Sequence, residues 1–441
     1  MKVLKFGGTS VGSPQRMKEV CNLVLEDGQQ KLVVLSAMSG TTNSLVEISQ
    51  YLYSGNEDGA ADVINKLHSK YLGHLPELYS TEEKREDVKA FINEKFEFLH
   101  SFSKENFSEV EEKTILAQGE LISTYMVTSY LQEIGIKAVL LPSLEFMKTN
   151  ADDEPDMAFI KKSIKPYLEK EDNVQIYIAQ GFICRNAKGE IDNLQRGGSD
   201  YTASIIGAAI KAEEIQIWTD IDGLHNNDPR IVDKTSPVRH LHFEEAAELA
   251  YFGAKILHPT CIQPAKAANI PVRLLNTMQP DAPGTTIDNK SEKNRITAVA
   301  AKDNITAIKI KSSRMLLAHG FLRKVFEIFE TYRTSIDMIC TSEVGVSMSI
   351  DNTKNLNEIV TELKKYGTVT VDNGMCIVCV VGDMDWENLG FESRALDALS
   401  DIPVRMISYG GSNYNISFLI RESDKKAALQ KLSDLLFNNN Q

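Results

Sequence analysis

Cysteine is scarce in this chain, 6 in 441 residues, too few for a disulfide-stapled framework. No apolar run approaches the ~18 residues that a membrane-spanning helix needs. The start, Met1-Lys2-Val3-Leu4-Lys5-Phe6, lacks the long apolar stretch of a signal peptide. A surplus of positive charge is missing as well. Lysine plus arginine is 48 against 61 for aspartate plus glutamate, a net charge of −13, whereas a general nucleic-acid binder needs a positive field to displace counterions. These absences predict a cytoplasmic protein that engages neither nucleic acid nor membrane, while leaving room for a local basic pocket. Metal-ligand patterns are lacking too. Cys376 and Cys379 are spaced C-x-x-C, but the β-branched run around them reads as a buried strand. Positions three apart on a strand face opposite ways, so these thiols are expected to be structural. His240 and His242 share a strand face without further ligands nearby, and no dedicated metal ligand is assigned.

What is present is ordinary globular composition, 42% hydrophobic and 25% charged. Single cores rarely exceed ~250–300 residues, so two or three domains are expected. A strand from Lys2 to Phe6, a glycine turn, a helix opened by Ser13-Pro14 and a second strand from Leu32 begin an α/β sheet. Further buried strands are predicted at 138–141, 174–178, 215–218 and 272–275. Residues 60–132 read as a helical insertion, with Val88, Ile92, Phe96, Leu99 and Phe102 on one apolar stripe. The polar stretch 281–295 reads as a boundary. Beyond it, Ile336-Asp337-Met338-Ile339 is echoed by Val404-Arg405-Met406-Ile407, each within a strand–helix–strand–strand–helix pattern, as in two ferredoxin-like modules.

Three glycine-bearing turns follow predicted strands, where open α/β sheets bind ligands. The first is Lys5-Phe6-Gly7-Gly8-Thr9-Ser10. Its glycines let backbone amides approach an anion, and Lys5 adds a mobile cation. It is neither a Walker loop nor a dinucleotide fingerprint. The second is Arg196-Gly197-Gly198-Ser199-Asp200, where the arginine fork suits a carboxylate or phosphate. The third is Thr219-Asp220-Ile221-Asp222-Gly223, continuing to Asp228-Pro229-Arg230, with Lys255 and Ile256 downstream in Phe252-Gly253-Ala254-Lys255-Ile256. Each also has a bland reading, as a tight turn or a solvated surface.

With Leu35-Ser36-Ala37-Met38-Ser39-Gly40-Thr41-Thr42-Asn43 and Gly119-Glu120, these motifs in this order resemble the aspartokinases of the amino acid kinase family, over essentially the whole chain. The resemblance implies an α/β amino acid kinase fold, a mostly parallel central sheet between helical layers, followed by two ferredoxin-like βαββαβ ACT modules. It implies domains at 1–290 (catalytic), 303–373 (first ACT module) and 296–302 with 374–441 (second ACT module), and a monofunctional enzyme. The activity implied is transfer of the γ-phosphoryl of ATP, with Mg2+, to the side-chain carboxylate of L-aspartate, the step that opens lysine, threonine and methionine biosynthesis. An ionised carboxylate needs no general base, so the burden falls on positioning and positive charge.

The implied roles follow the motifs. Lys5, Asp200 and the Gly8 amide are catalytic. Thr42, Glu120, Arg196, Gly197, Gly198 and Ser199 hold aspartate, with Glu120 suited to the ammonium. Lys5, Phe6, Gly7, Gly8, Ser36, Thr219, Asp220, His225, Arg230, Lys255 and Ile256 line the nucleotide site. His225-Asn226-Asn227 stands where the family more often has an aromatic residue and two threonines. Met315, Gly320, Phe321, Leu322, Ser335, Asp337, Thr341, Ser342 and Glu343 resemble the effector site of the lysine-sensitive branch. Asp337 and Glu343 together would face an ammonium, favouring lysine over threonine as feedback inhibitor. The ACT modules imply a homodimer or a dimer of dimers. Two rival readings stand beside this one: an amino acid kinase acting on another substrate such as glutamate, and a catalytically silent amino-acid sensor.

Overall fold

The computed structural model describes residues 1–438 apart from 104, 106, 195, 196, 254–257 and 316–318. Its contacts divide the chain into two units, 1–224 with 257–289, and 225–256 with 290–441. By contacts the segment 225–256 groups with the C-terminal part.

In the first unit, apolar β-branched runs become parallel strands because both faces are covered. These are β1 (Lys2–Phe6), β2 (Lys31–Leu35), β3 (Ala138–Leu141), β4 (Ile176–Gln180), β5 (Ile215–Thr219) and β6 (Val272–Asn276), with β7 (Thr285–Asp288) antiparallel to β6. Their order across the sheet is β7-β6-β5-β1-β2-β4-β3. The strand predicted over 174–178 lies two residues later, since Val174 is buried but precedes the ladder. The stretch read as a boundary, 281–295, carries β7.

The longer helices of this unit are α1 (Pro14–Leu25), α2 (Thr41–Ser54), α3 (Glu57–Leu78), α4 (Glu82–His100), α5 (Glu109–Glu133), α6 (Met157–Glu169) and α7 (Gly198–Ile210). Ser13 caps α1, its Oγ accepting from the Arg16 amide at 3.3 Å, with Pro14 in the first turn. Helices α3–α5 form the insertion expected from the apolar stripe. Val88, Ile92, Phe96 and Leu99 are buried, and the core is continued by Tyr71 and Tyr79. Phe102 is only partly buried and packs at its margin.

The register sets where chemistry can occur. Phe6 lies level with Leu35 of β2 and Trp218 of β5, Leu35 with Gln180 of β4, and Thr219 with Asn276 of β6. The carboxyl ends of all five strands therefore open at one edge. Strand β1 has neighbours added on both sides, so its end is the topological switch point.

The second unit has helix α8 (Phe243–Tyr251) and a sheet of two long strands, β8 (Ile296–Lys311) and β11 (Thr368–Gly382), with β9 (Ile339–Ser342), β10 (Gly345–Ile350), β12 (Met406–Tyr409) and β13 (Asn415–Arg421). The order is β9-β10-β8-β11-β13-β12. Helices α9 (Phe321–Thr331), α10 (Leu356–Lys364), α11 (Phe391–Ala398) and α12 (Lys425–Ser433) cover it. Each long strand serves two halves. Residues 305–311 of β8 pair with β10 and with the start of β11, while 296–302 pair with the end of β11, which also pairs with β13. Register shifts between Lys302 and Ile305 mark the changeover. Two apolar cores follow, one beneath each half. Cys376 and Cys379 lie on β11 as buried free thiols, and the described residues hold no cluster of three or more metal-ligating side chains. No helix among the described residues is long and apolar enough to cross a membrane.

Candidate active site

Lys5, the penultimate residue of β1, ends at the switch point. Its ammonium lies 2.7 Å from the Asp200 carboxylate, with the two side chains 11% and 14% exposed. Asp200 stands in the first turn of α7, whose N-cap is Gly197 at φ +77. Only a glycine takes that conformation cheaply, and a Cβ there would stand 2.8 Å from the sulfur of Cys261. The buried Cys261 thiol donates to the Gly197 carbonyl at 3.3 Å, bracing the turn from behind.

The loop after β1 lies against the loop after β2. The Ser39 amide donates to the Gly8 carbonyl at 3.1 Å and the Ser36 amide to the Phe6 carbonyl at 3.3 Å. A Cβ on Gly8 would sit 2.7 Å from the Ala37 carbonyl oxygen, so the backbone of these loops meets at glycine spacing. Ser36 Oγ donates to Ser199 Oγ at 3.0 Å, joining the β2 loop to α7.

Glu120 enters from the middle of α5. Its residue is 4% exposed. Oε1 accepts from the Ala37 amide at 3.1 Å, while Oε2 is buried and has no hydrogen-bond partner among the described residues. Burial pushes this carboxyl up to about 8, the Ala37 amide opposing the shift. A carboxylate oxygen left bare in an apolar wall is costly unless a cation arrives.

These elements enclose a cleft of about 270 Å³ lined by Lys5, Ser36, Thr42, Glu120, Phe182, Gly197, Gly198, Ser199 and Asp200. Of the residues expected to hold substrate or carry chemistry, Lys5, Thr42, Glu120, Gly197, Gly198, Ser199 and Asp200 thus share one space. Gly8 stands beside it in the β1 loop. Arg196, Lys255 and Ile256 lie outside the described residues. Thr219 ends β5 level with the β1 turn, and Asp220 follows it, exposed. Phe6 faces inward, its ring stacked on Trp218 at 5.7 Å.

His225 and Arg230 fall in the second unit. His225 Nδ1 is 2.8 Å from the Thr235 hydroxyl, and Arg230 forms a two-pronged pair with Asp228, whose carboxyl it holds below the usual range. Asn226 and Asn227 are buried and structural. The first accepts from the Ser236 amide and the second donates to the Leu429 carbonyl.

Phe182 was missed by sequence reasoning. It is a non-glycine residue at φ +69, strain of the kind that collects at ligand sites. Its ring occupies the space a Cβ on Gly198 would need, at 2.6 Å. Gly181 just before it gives the sole local signal of a turn.

The effector residues lie on several elements of the second unit, with Phe321 and Met315 in one apolar core. Met315 lies in a short turn, Gly320 caps α9 at φ +84, and Phe321 is buried while Leu322 is 36% exposed. Ser335, Thr341, Ser342 and Glu343 are exposed. Within a single chain Asp337 and Glu343 stand beyond opposite ends of β9. The Asp337 amide pairs with Ser349, whereas Ser342 pairs with Gly345 at the hairpin tip beside Glu343. The four residues of β9 at ~3.3 Å each lie between them.

Residues 1–276 match the model of the amino acid kinase family, and residues 378–436 match an ACT domain. The lysine-sensitive aspartokinase 3 of Escherichia coli (strain K12) is 34% identical, with 99% of each chain aligned. The chain belongs to the aspartokinases. Aspartokinase 1 (chloroplastic) of Arabidopsis thaliana is 35% identical over 99% of this chain and 80% of its own. The structure of E. coli aspartokinase III in complex with aspartate and ADP superposes with a TM-score of 0.84 at 34% identity, covering 99% of this chain and 100% of that one. The aspartokinase fold, an amino acid kinase unit followed by ACT topology, is thus the fold described above.

Proposed function

We propose that the chain is an aspartate kinase that moves the γ-phosphoryl of ATP to the side-chain carboxylate of L-aspartate, giving 4-phospho-L-aspartate and ADP. The observation that carries it is Glu120 Oε2, bare and buried in a cleft whose other wall holds the Lys5 ammonium. An amino acid would place its ammonium on Glu120 and its reacting carboxylate toward Lys5. Arg196 takes the other carboxylate by its planar fork. Thr42, Ser199 and the Gly197 and Gly198 backbone complete the pocket.

A carboxylate oxygen forms the new bond to phosphorus as the bond to the β-phosphate oxygen breaks, and ADP leaves with that electron pair. No proton needs removing from an ionised acceptor. Lys5, the Gly7 and Gly8 amides and Ser36 neutralise charge around the transferring group, while Asp200 keeps the Lys5 side chain in place. Thr219, Asp220, His225, Arg230, Lys255 and Ile256 are assigned to the nucleotide. Magnesium fits as an ion carried by the phosphates, since that cation needs only one or two protein carboxylates and Asp200 is available. When bound it would add positive charge between the phosphates.

Regulation is assigned to the C-terminal part, divided as 303–373 and as 296–302 with 374–441. What supports the division is the strand order, in which each half of β8 and β11 serves a separate four-stranded group. Lysine is the proposed inhibitor, as in the E. coli relative named for it, with threonine second. A cytoplasmic homodimer or dimer of dimers is the proposed assembly.

The test is an assay with ATP, magnesium and hydroxylamine, which traps an acyl phosphate as a coloured hydroxamate. Product is expected with aspartate and not with glutamate. No product with aspartate would end this reading, and product with glutamate alone would favour the related kinase. Adding lysine or threonine tests regulation.

A further inference from the structure

Lys302 sits at the irregularity of β8, in the second unit, and its ammonium is enclosed on three sides. It lies 2.8 Å from Asp337 Oδ1 and 2.9 Å from Asp351 Oδ2, and 4.4 Å from the centroid of the Tyr251 ring. The Tyr251 hydroxyl donates to the same Asp337 oxygen at 2.9 Å. The Asp337 side chain is 1% exposed, and its other oxygen is buried without a hydrogen-bond partner among the described residues. Asp351, in contrast, is 42% exposed. Two carboxylates and an aromatic face are what recognition of a primary ammonium requires. Here a side chain of the protein itself supplies that ammonium.

We propose that Asp337, Asp351 and the Tyr251 ring form an ammonium cage in which Lys302 stands in for the feedback amino acid, and that the effector enters by moving Lys302 from Asp337 onto Asp351. This rests on the reading that the ACT region binds an inhibitory amino acid. Two ammonium groups cannot share Asp337 without repulsion. Lys302 already touches Asp351, so release from Asp337 costs it one partner rather than both. The free Asp337 oxygen then receives the incoming ammonium. Lys302 is thus an internal competitor, and its occupancy lowers the apparent affinity of the effector by the fraction of time the cage is closed.

The experiment measures lysine and threonine binding by calorimetry, and inhibition of the kinase reaction, for the full chain and two variants. Lys302→Met keeps the length of the side chain and removes the competitor, so the effector should bind about tenfold more tightly. Asp351→Asn removes the alternative partner and leaves Lys302 on Asp337, so the effector should bind about tenfold more weakly. Turnover without effector should stay within about twofold in both, because neither residue touches the catalytic cleft. Affinity unchanged or weakened in Lys302→Met, or both variants shifting the same way, would overturn the proposal. Should Lys302→Met fail to fold, Asp351→Asn decides alone, and unchanged affinity there overturns it. A parent enzyme that binds neither amino acid would instead defeat the effector reading itself, and this proposal with it.

Discussion

The Lys5 ammonium stands 2.7 Å from the Asp200 carboxylate although 195 positions separate the two residues in sequence. One is the penultimate residue of the first strand and the other stands in the first turn of helix α7. The pair is nearly enclosed, so each side chain fixes the other before substrate arrives, which is the preorganisation that charge stabilisation needs.

Replacing Lys5 by alanine should lower turnover by ~10²–10³, about 2.7–4 kcal/mol of lost charge stabilisation, with little change in the aspartate Michaelis constant. Asp200→Asn should lower turnover less, because the amine remains but is loosely held. The double variant should be scarcely worse than Lys5→Ala, since the carboxylate acts through the amine. Steady-state kinetics on the four enzymes check this. Multiplicative losses would show that holding the magnesium ion, rather than holding Lys5, is the larger part of what Asp200 does.

Gly8→Ala should abolish measurable turnover. The added methyl would stand 2.7 Å from the Ala37 carbonyl, and the same Ala37 residue donates to Glu120, so the strain reaches the pocket wall. Gly28→Ala is the control. Its φ is +65 but nothing lies within 4 Å of the added carbon, so the cost should be limited to ~1–2 kcal/mol of backbone strain, with normal activity. Thermal melts and the hydroxamate assay separate the two. An active Gly8→Ala enzyme would show that the two loops are not held at glycine spacing.

Much of this was legible in the sequence where residue type and element end coincide. Lys5 lies at the end of a strand before two glycines, Ser36 follows a strand and Ser199 opens a helix after two glycines, and parallel-sheet physics alone brings such positions to one edge. Glu120 carried weaker local signs, as a charged residue in a helix centre among buried neighbours. Phe182 carried only the turn signal of Gly181 before it, because its positive φ is imposed by the surrounding fold and an aromatic residue does not announce one. The cage around Lys302 was equally silent, since Tyr251 and Asp337 are 86 positions apart and meet through packing alone. Glu343 was placed with Asp337 by the family resemblance, and within one chain the strand β9 lies between them.

Thiol chemistry offers an independent check on burial. Of six free cysteines, Cys340 alone is partly exposed. Burial pushes the Cys21 and Cys261 thiols up to about 12 and the Cys379 thiol higher still, so they are expected to stay protonated and unreactive. Burial raises the Cys340 thiol as well, so an aromatic disulfide reagent should modify that one thiol slowly in the native protein and five more only after denaturation. Rapid reaction at Cys376 or Cys379 would contradict their place inside the β11 strand.

The pH dependence of substrate binding should report Glu120. Its carboxyl, raised by burial to about 8 in the folded enzyme, titrates near ~4.3 in an unfolded chain. The fold therefore favours the neutral acid. That stabilising contribution is complete below the unfolded value and is lost as pH rises from there through about 8. Stability of the empty enzyme should fall over this window, and Glu120→Gln should lack that part of the slope. An aspartate ammonium placed on Oε2 reverses the preference, because it pairs only with the ionised form. Binding below about pH 8 must then release a proton, and apparent affinity should rise with pH, by up to about tenfold per unit, and flatten above. Calorimetry in two buffers of different ionisation enthalpy measures the released proton directly. No release at neutral pH, together with a Michaelis constant flat across this range, would show that the ammonium does not sit on Glu120.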